Sequence, residues 1–228
     1  MKKKLFSLAA VLILSCMLLA GCQSKMVPAD QVTGALFELV AMDDASAIQE
    51  LLGFESEEDV RSSLMEDSSD LVSGLEEMFT GAGITFTQDE LDEMKGSLLT
   101  MLRKMPYTAE ITSEDSDQTV VTLTINGFSM AEMSEIAVNV QQDVVASLSE
   151  EEQMLIASGD EQAVSDFMRQ YMKDYMTAVG EMEPMEETTE VTVTCEKFRV
   201  DVSGEEKVVW MPADVDQFSA DVEAAVLQ

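Results

Sequence analysis

Residues 107–126 read Tyr-Thr-Ala-Glu-Ile-Thr-Ser-Glu-Asp-Ser-Asp-Gln-Thr-Val-Val-Thr-Leu-Thr-Ile-Asn, and here the apolar period changes. Val121, Leu123 and Ile125 alternate with threonines, the two-residue repeat of a strand buried on one face. Residues 107–113 alternate likewise, and the acidic stretch Ser113-Glu114-Asp115-Ser116-Asp117 between the two runs has the composition of a turn. The segment therefore predicts an antiparallel hairpin whose loop exceeds two residues. A second pair of strands is predicted at 188–202 and 207–211, turning at Ser203-Gly204.

The rest of the chain follows a helical period. Pro28-Ala29-Asp30 opens a helix with Val32, Leu36, Leu39 and Val40 on one face, broken at Met42-Asp43-Asp44. Asp44 can cap a second helix, with Ala47, Ile48, Leu51 and Leu52 as its stripe and Gly53 as its end. Residues 55–80 are acidic and helical in period, with Val60, Leu64, Leu71, Leu75, Met78 and Phe79 as core candidates before the break at Gly81-Ala82-Gly83. Thr87-x-x-Glu90 has capping-box form and predicts a helix from 88 to about 104. Between the hairpins, Ser129-x-x-Glu132 and Ser149-x-x-Glu152 open helices filling 130–180, punctuated by Gly159 and Gly180, and a short helix over 213–226 ends the chain. This order predicts an α+β domain over 28–228. Its N-terminal helices and a helical insertion at 128–186 pack on a four-stranded antiparallel sheet in a cone-like arrangement. The absence of βαβ alternation argues against a doubly wound sheet.

Upstream, Lys2-Lys3-Lys4 precedes an apolar run over 5–19 and then Leu19-Ala20-Gly21-Cys22, the order of an export signal. The run is shorter than the ~20 residues a membrane-crossing helix requires. Leu-Ala-Gly-Cys resembles the lipobox of bacterial lipoproteins. That resemblance implies cleavage of residues 1–21, a diacylglyceryl thioether on Cys22, and a lipidated tether over 22–27. A secretory signal that merely contains a cysteine is the alternative. The lipid reading places the protein at the cell membrane, on its extracytoplasmic side, with the bilayer as partner through Cys22.

Charge excludes other partners. The chain carries 13 basic and 45 acidic side chains, no histidine, and a net charge of −32. Loss of residues 1–21 removes three lysines and leaves a net of −35. Nucleic-acid binding needs clustered Lys and Arg, so no nucleic-acid partner is expected. Anionic headgroups repel such a body within about 8 Å of its surface. The absence of histidine excludes Ser-His-Asp and Cys-His catalysis and histidine zinc sites. With Cys16 in the leader and Cys22 alkylated, Cys195 is the last free thiol. Its setting in Val191-Thr192-Val193-Thr194-Cys195 predicts a core-facing side chain.

The lipobox, the Pro28-Ala29 helix start, the Asp44-Ala45 helix behind it and the 107–126 hairpin together resemble a group of small Gram-positive lipoproteins of unknown function. Their folds are similar to the cystatin-like cone of nuclear transport factor two. Gly204-Glu205-Glu206-Lys207-Val208-Val209-Trp210 is similar to the last strand of that cone. The resemblance implies an α+β cone with a binding face on its concave sheet.

Candidate sites are few. Met168, Met172 and Met176, interleaved with Phe167, Tyr171 and Tyr175 and followed by Met182 and Met185, have thioethers able to take Cu(I), but they also fit a core-facing stripe. The acidic runs 55–59, 66–70, 114–117 and 181–190 lack the spacing of a calcium loop and read as solvated. Asp201 is the best available general base, although its place in an alternating strand points outward. No catalytic, cofactor-binding or metal residue is assigned, and no cofactor is expected. The expected function is a non-enzymatic binding module for a small molecule, peptide or protein. The alternative is an acid-base enzyme with a buried carboxylate in a cone-shaped pocket.

Overall fold

A computed structural model describes residues 26–64, 84 and 86–228. The leader, Cys22, the acidic run 66–70 and the predicted core candidates Leu71, Leu75, Met78 and Phe79 lie outside these residues.

Pro28 lacks an N–H and holds φ at −55°, so it feeds the chain into α1 (Ala29–Met42) without leaving a donor unpaired. Ten of its fourteen residues are buried. Asp43 ends it at φ 50°, and its carboxylate meets Arg61 at 2.7 Å and Lys95 at 3.4 Å. The N-cap of α2 (Ser46–Leu52) is Ala45 and not Asp44 as expected; the Asp44 carboxylate accepts from the Ser46 backbone at 2.9 Å one position earlier, and the helix stops at Gly53 with φ 80°. α3 spans Glu57–Leu64. α4 (Gln88–Leu102) begins with the complete capping box of Thr87 and Glu90.

The four strands are β1 (Tyr107–Glu114), β2 (Gln118–Ile125), β3 (Thr189–Val202) and β4 (Glu205–Pro212), antiparallel and in the order β1-β2-β3-β4. Between β2 and β3 run α5 (Met130–Ser147), α6 (Glu150–Ser158) and α7 (Glu161–Gly180), and α8 (Val215–Val226) follows β4. The α+β class and the four-stranded antiparallel sheet are as the sequence indicates. β3 is long because it serves two neighbours in turn: 189–196 pair with β2 and 195–202 with β4. Only Cys195 and Glu196 have both neighbours, so the sheet is two ribbons offset along one strand. At the β3–β4 turn Ser203 and Gly204 both have positive φ, 54° and 86°, the primed hairpin geometry that sets Val202 opposite Glu205.

α1 lies against the apolar face of this sheet. Val121, Leu123, Ile125 and Cys195 are fully buried beneath it. The Phe37 and Tyr107 rings stand 4.5 Å apart, and Thr33 Oγ1 lies 3.4 Å from Cys195 Sγ. α8 adds Phe218, Val222, Ala225 and Val226 to the same core. The sheet face expected to be concave and to receive a ligand is covered by the protein's own helices, because α1 is apolar around most of its circumference and buries nearly all of it.

The insertion packs chiefly on α4. Met94 and Met176 form a second small core with Met172, Tyr175, Leu91 and Leu98, while Val179 and Met182 enter the main one. With few cations available, helix-surface aspartates pair with glutamines four residues earlier, as in Gln88–Asp92, Gln162–Asp166, Gln170–Asp174 and Gln217–Asp221.

Candidate functional site

No Lys or Arg occurs between Lys104 and Arg169, a span that includes α5, α6 and the first eight residues of α7. The same helices bury little. Val144 is the single buried residue of α5, and α6 buries none despite its Met154-Leu155-Ile156 run. α6 is held instead by its ends. Glu152 accepts from the Ser149 backbone and hydroxyl at 2.7 and 2.6 Å, and Gly159 closes the C-terminus in the left-handed conformation. Six of the ten large apolar side chains exposed among the described residues fall here: Met130, Val138, Val145, Met154, Leu155 and Val164.

Where α5, α6 and α7 meet they leave a groove of about 480 Å³. Val144, Leu148, Leu155, Ile156, Ala163 and Phe167 supply its apolar surface. Glu152, Asp160 and Asp166 add carboxylates, and no basic residue lines it. These acids are engaged. Asp160 caps α7 by accepting from the Ala163 N–H at 3.0 Å, and Asp166 accepts from Gln162 at 3.0 Å. The Ser149 hydroxyl and backbone N–H hold the Glu152 carboxyl below its usual range. Ser147 donates to the Val144 carbonyl at 2.7 Å. A recess that sets apolar side chains beside fixed negative charge is suited to binding an amphipathic ligand.

A smaller cavity of about 190 Å³ lies between β3, the end of β4 and α8. Its Asp214 caps α8 by accepting from Gln217, and its Asp221 accepts from the Gln217 side chain.

The residues singled out from sequence do not converge on either recess. Met172 and Met176 pack on α4, Cys195 is fully buried, and burial pushes its thiol up. Asp201 is exposed and accepts from the Gly204 N–H at 2.7 Å, which shapes the β3–β4 turn. Asp59 pairs with Ser56, Asp115 orders the β1–β2 turn, and Glu183 meets Lys104. Among the described residues no three Cys, Asp or Glu side chains gather as a metal set. The four displaced carboxyls, Asp44, Glu90, Asp115 and Glu152, all move downward because hydrogen bonds favour the charged form. The groove residues were not singled out from sequence. The signal available was the Met154-Leu155-Ile156 run one residue after three glutamates, inside a stretch without cations.

No protein-family profile matches the chain, and no curated protein matches it. The fold is similar to the crystal structure of YcdA, a candidate lipoprotein from Bacillus subtilis, with a TM-score of 0.59 and 13% sequence identity. The likeness covers 88% of this chain and 56% of that one, so the chain spans little more than half the length of its structural neighbour. At that identity the likeness speaks for the fold. No helix among the described residues is long and apolar enough to cross a membrane.

Proposed function

We propose that this chain is a non-enzymatic binding protein, anchored by lipid at Cys22 to the extracytoplasmic side of the cell membrane, and that the α5–α6–α7 groove is its binding site. The observation that carries the binding reading is the groove itself, a recess of mixed apolar and acidic lining between helices that bury little. Support for the anchor comes from the Leu19-Ala20-Gly21-Cys22 motif behind an apolar run, and from the fold shared with a candidate lipoprotein. On this reading residues 1–21 are removed, 22–27 form the tether and 28–228 form one domain. That domain is read as a cystatin-like cone whose concavity α1 occupies; the order of helices, hairpin, helical insertion and hairpin supports this.

Two measurements test the proposal. Labelled palmitate should enter the wild-type chain and be absent from Cys22→Ser; equal labelling of both would remove the anchor. A neutral solvatochromic dye such as Nile red should brighten with residues 23–228 and lose that response in Leu155→Glu. An unchanged response would remove the groove.

A further inference from the structure

We infer that the groove's occupant is a cationic amphipathic helix of a partner protein, a deepening that rests on the reading of the groove as the binding site. Apolar surface continues past the recess: exposed Val145 and Val164 stand one helical turn from the lining residues Leu148 and Phe167, and exposed Met154 precedes Leu155, a lining residue itself 41% exposed. A compact ligand within the recess leaves these three uncovered, whereas one face of a helix presents apolar side chains at successive turns and reaches beyond the groove mouth.

Charge then selects among the possible occupants. α5 and α6 carry Glu132, Glu135, Asp143, Glu150, Glu151 and Glu152 without one cation, and Asp160, Glu161 and Asp166 continue the field into α7. A second copy of this chain brings the same acids to the same face, and like charges juxtaposed across an interface oppose association. An anionic bilayer surface is repelled for the same reason. A helix with Leu-like residues on one face and Lys or Arg flanking them satisfies both features, its apolar side in the groove and its cations against Glu152, Asp160 and Asp166. Of the nearest basic residues, Lys173 pairs with Glu90 and Glu93, while Arg169 is fastened to Glu90 and also stands 3.8 Å from Asp166, so an occupant's cations share Asp166 with Arg169 and meet Glu152 and Asp160 without a competing base.

The test uses the chain over residues 23–228 and three synthetic peptides of about 18 residues, long enough to become helical once bound. One combines Leu and Lys amphipathically, one has Gln and Lys with the same charge, and one has Leu and Glu. Calorimetric titration should give saturable binding of the Leu/Lys peptide alone, weakening as salt rises. Leu155→Glu should weaken it by about tenfold or more. Asp166→Lys should weaken it while leaving the Nile red response intact, which separates rim charge from apolar floor. Equal binding of the Gln/Lys peptide, or indifference to Leu155→Glu, overturns the inference as general charge attraction. Concentration-dependent self-association abolished by Leu155→Glu overturns it in favour of a second copy. If no peptide binds while the dye still enters, the partner class is wrong and the groove reading survives. If neither binds, both fall.

Discussion

Arg169 on α7 reaches Glu90 at the start of α4, with Nη2 2.8 Å from each carboxylate oxygen. The same carboxylate closes the α4 capping box by accepting from the Thr87 N–H at 2.9 Å, so one side chain starts a helix and fastens the insertion to it. The Thr87 backbone and Arg169 hold its pKa down to about 2.

Replacing Glu90 by Gln removes that anchor. The folded pKa is depressed, so the contribution is complete above the ordinary carboxyl range and disappears as pH falls toward 2. Glu90→Gln should lower Tm by a few degrees, about 2–4 °C, near neutral pH, and the gap from wild type should close as pH drops from about 5 to 2. A gap constant across that range would show that the carboxylate's charge is not what holds the two helices. Thermal melts at a series of pH values decide it.

Gly127 lies between β2 and α5, where the end of the chain crosses. The Phe128 N–H donates to Val226 at 2.7 Å, Gln228 returns a bond to Phe128 at 2.9 Å, and a Cβ at Gly127 would overlap the Ala225 carbonyl. A backbone neighbour has no rotamer to move. Gly127→Ala should therefore destabilise by about 1–3 kcal/mol, as overpacking does, whereas Gly96→Ala, which meets nothing within 4 Å, should stabilise α4 by up to about 1 kcal/mol. Denaturant melts of the two variants should move in opposite directions.

Cys195 is fully buried under α1, and burial pushes its thiol upward despite the contact with Thr33. In residues 23–228 it is the sole thiol. A maleimide or aromatic disulfide reagent should leave it unmodified in the folded chain at pH 8 and react fully in guanidinium. Fast native labelling would mean that α1 opens from the sheet far more readily than its burial allows.

Most elements were legible because their signals are local. The alternation of Val121, Leu123 and Ile125, the Thr87–Glu90 box and the Ser203-Gly204 turn each depend on residues within a few positions of one another, and each appears where sequence places it. Asp160, the cap of α7, was passed over beside the more conspicuous Gly159. The filled sheet face was not legible, because a helix that covers a pocket and a helix that walls one have the same period. Nor was the groove: Val144 is 4% exposed and Val145 42%, adjacent apolar residues whose fates depend on where α6 and α7 fall.

That contrast in burial predicts a gradient of local stability. Phe37 is fully buried against Tyr107, so Phe37→Ala should cost about 3–5 kcal/mol and shift the whole unfolding transition. Leu155 is 41% exposed on a helix with no buried residue, and Leu155→Glu should change stability by no more than about 0.5 kcal/mol. Hydrogen exchange should follow the same order: β2 amides open with global unfolding, and α6 amides exchange at least about a hundredfold faster. Adding the Leu/Lys peptide should slow α6 exchange while leaving β2 unchanged, since the occupant covers the one without touching the other. If α6 is as well protected as β2 before any peptide is added, the exposed apolar face is already stabilised by the chain itself, and the groove needs no partner.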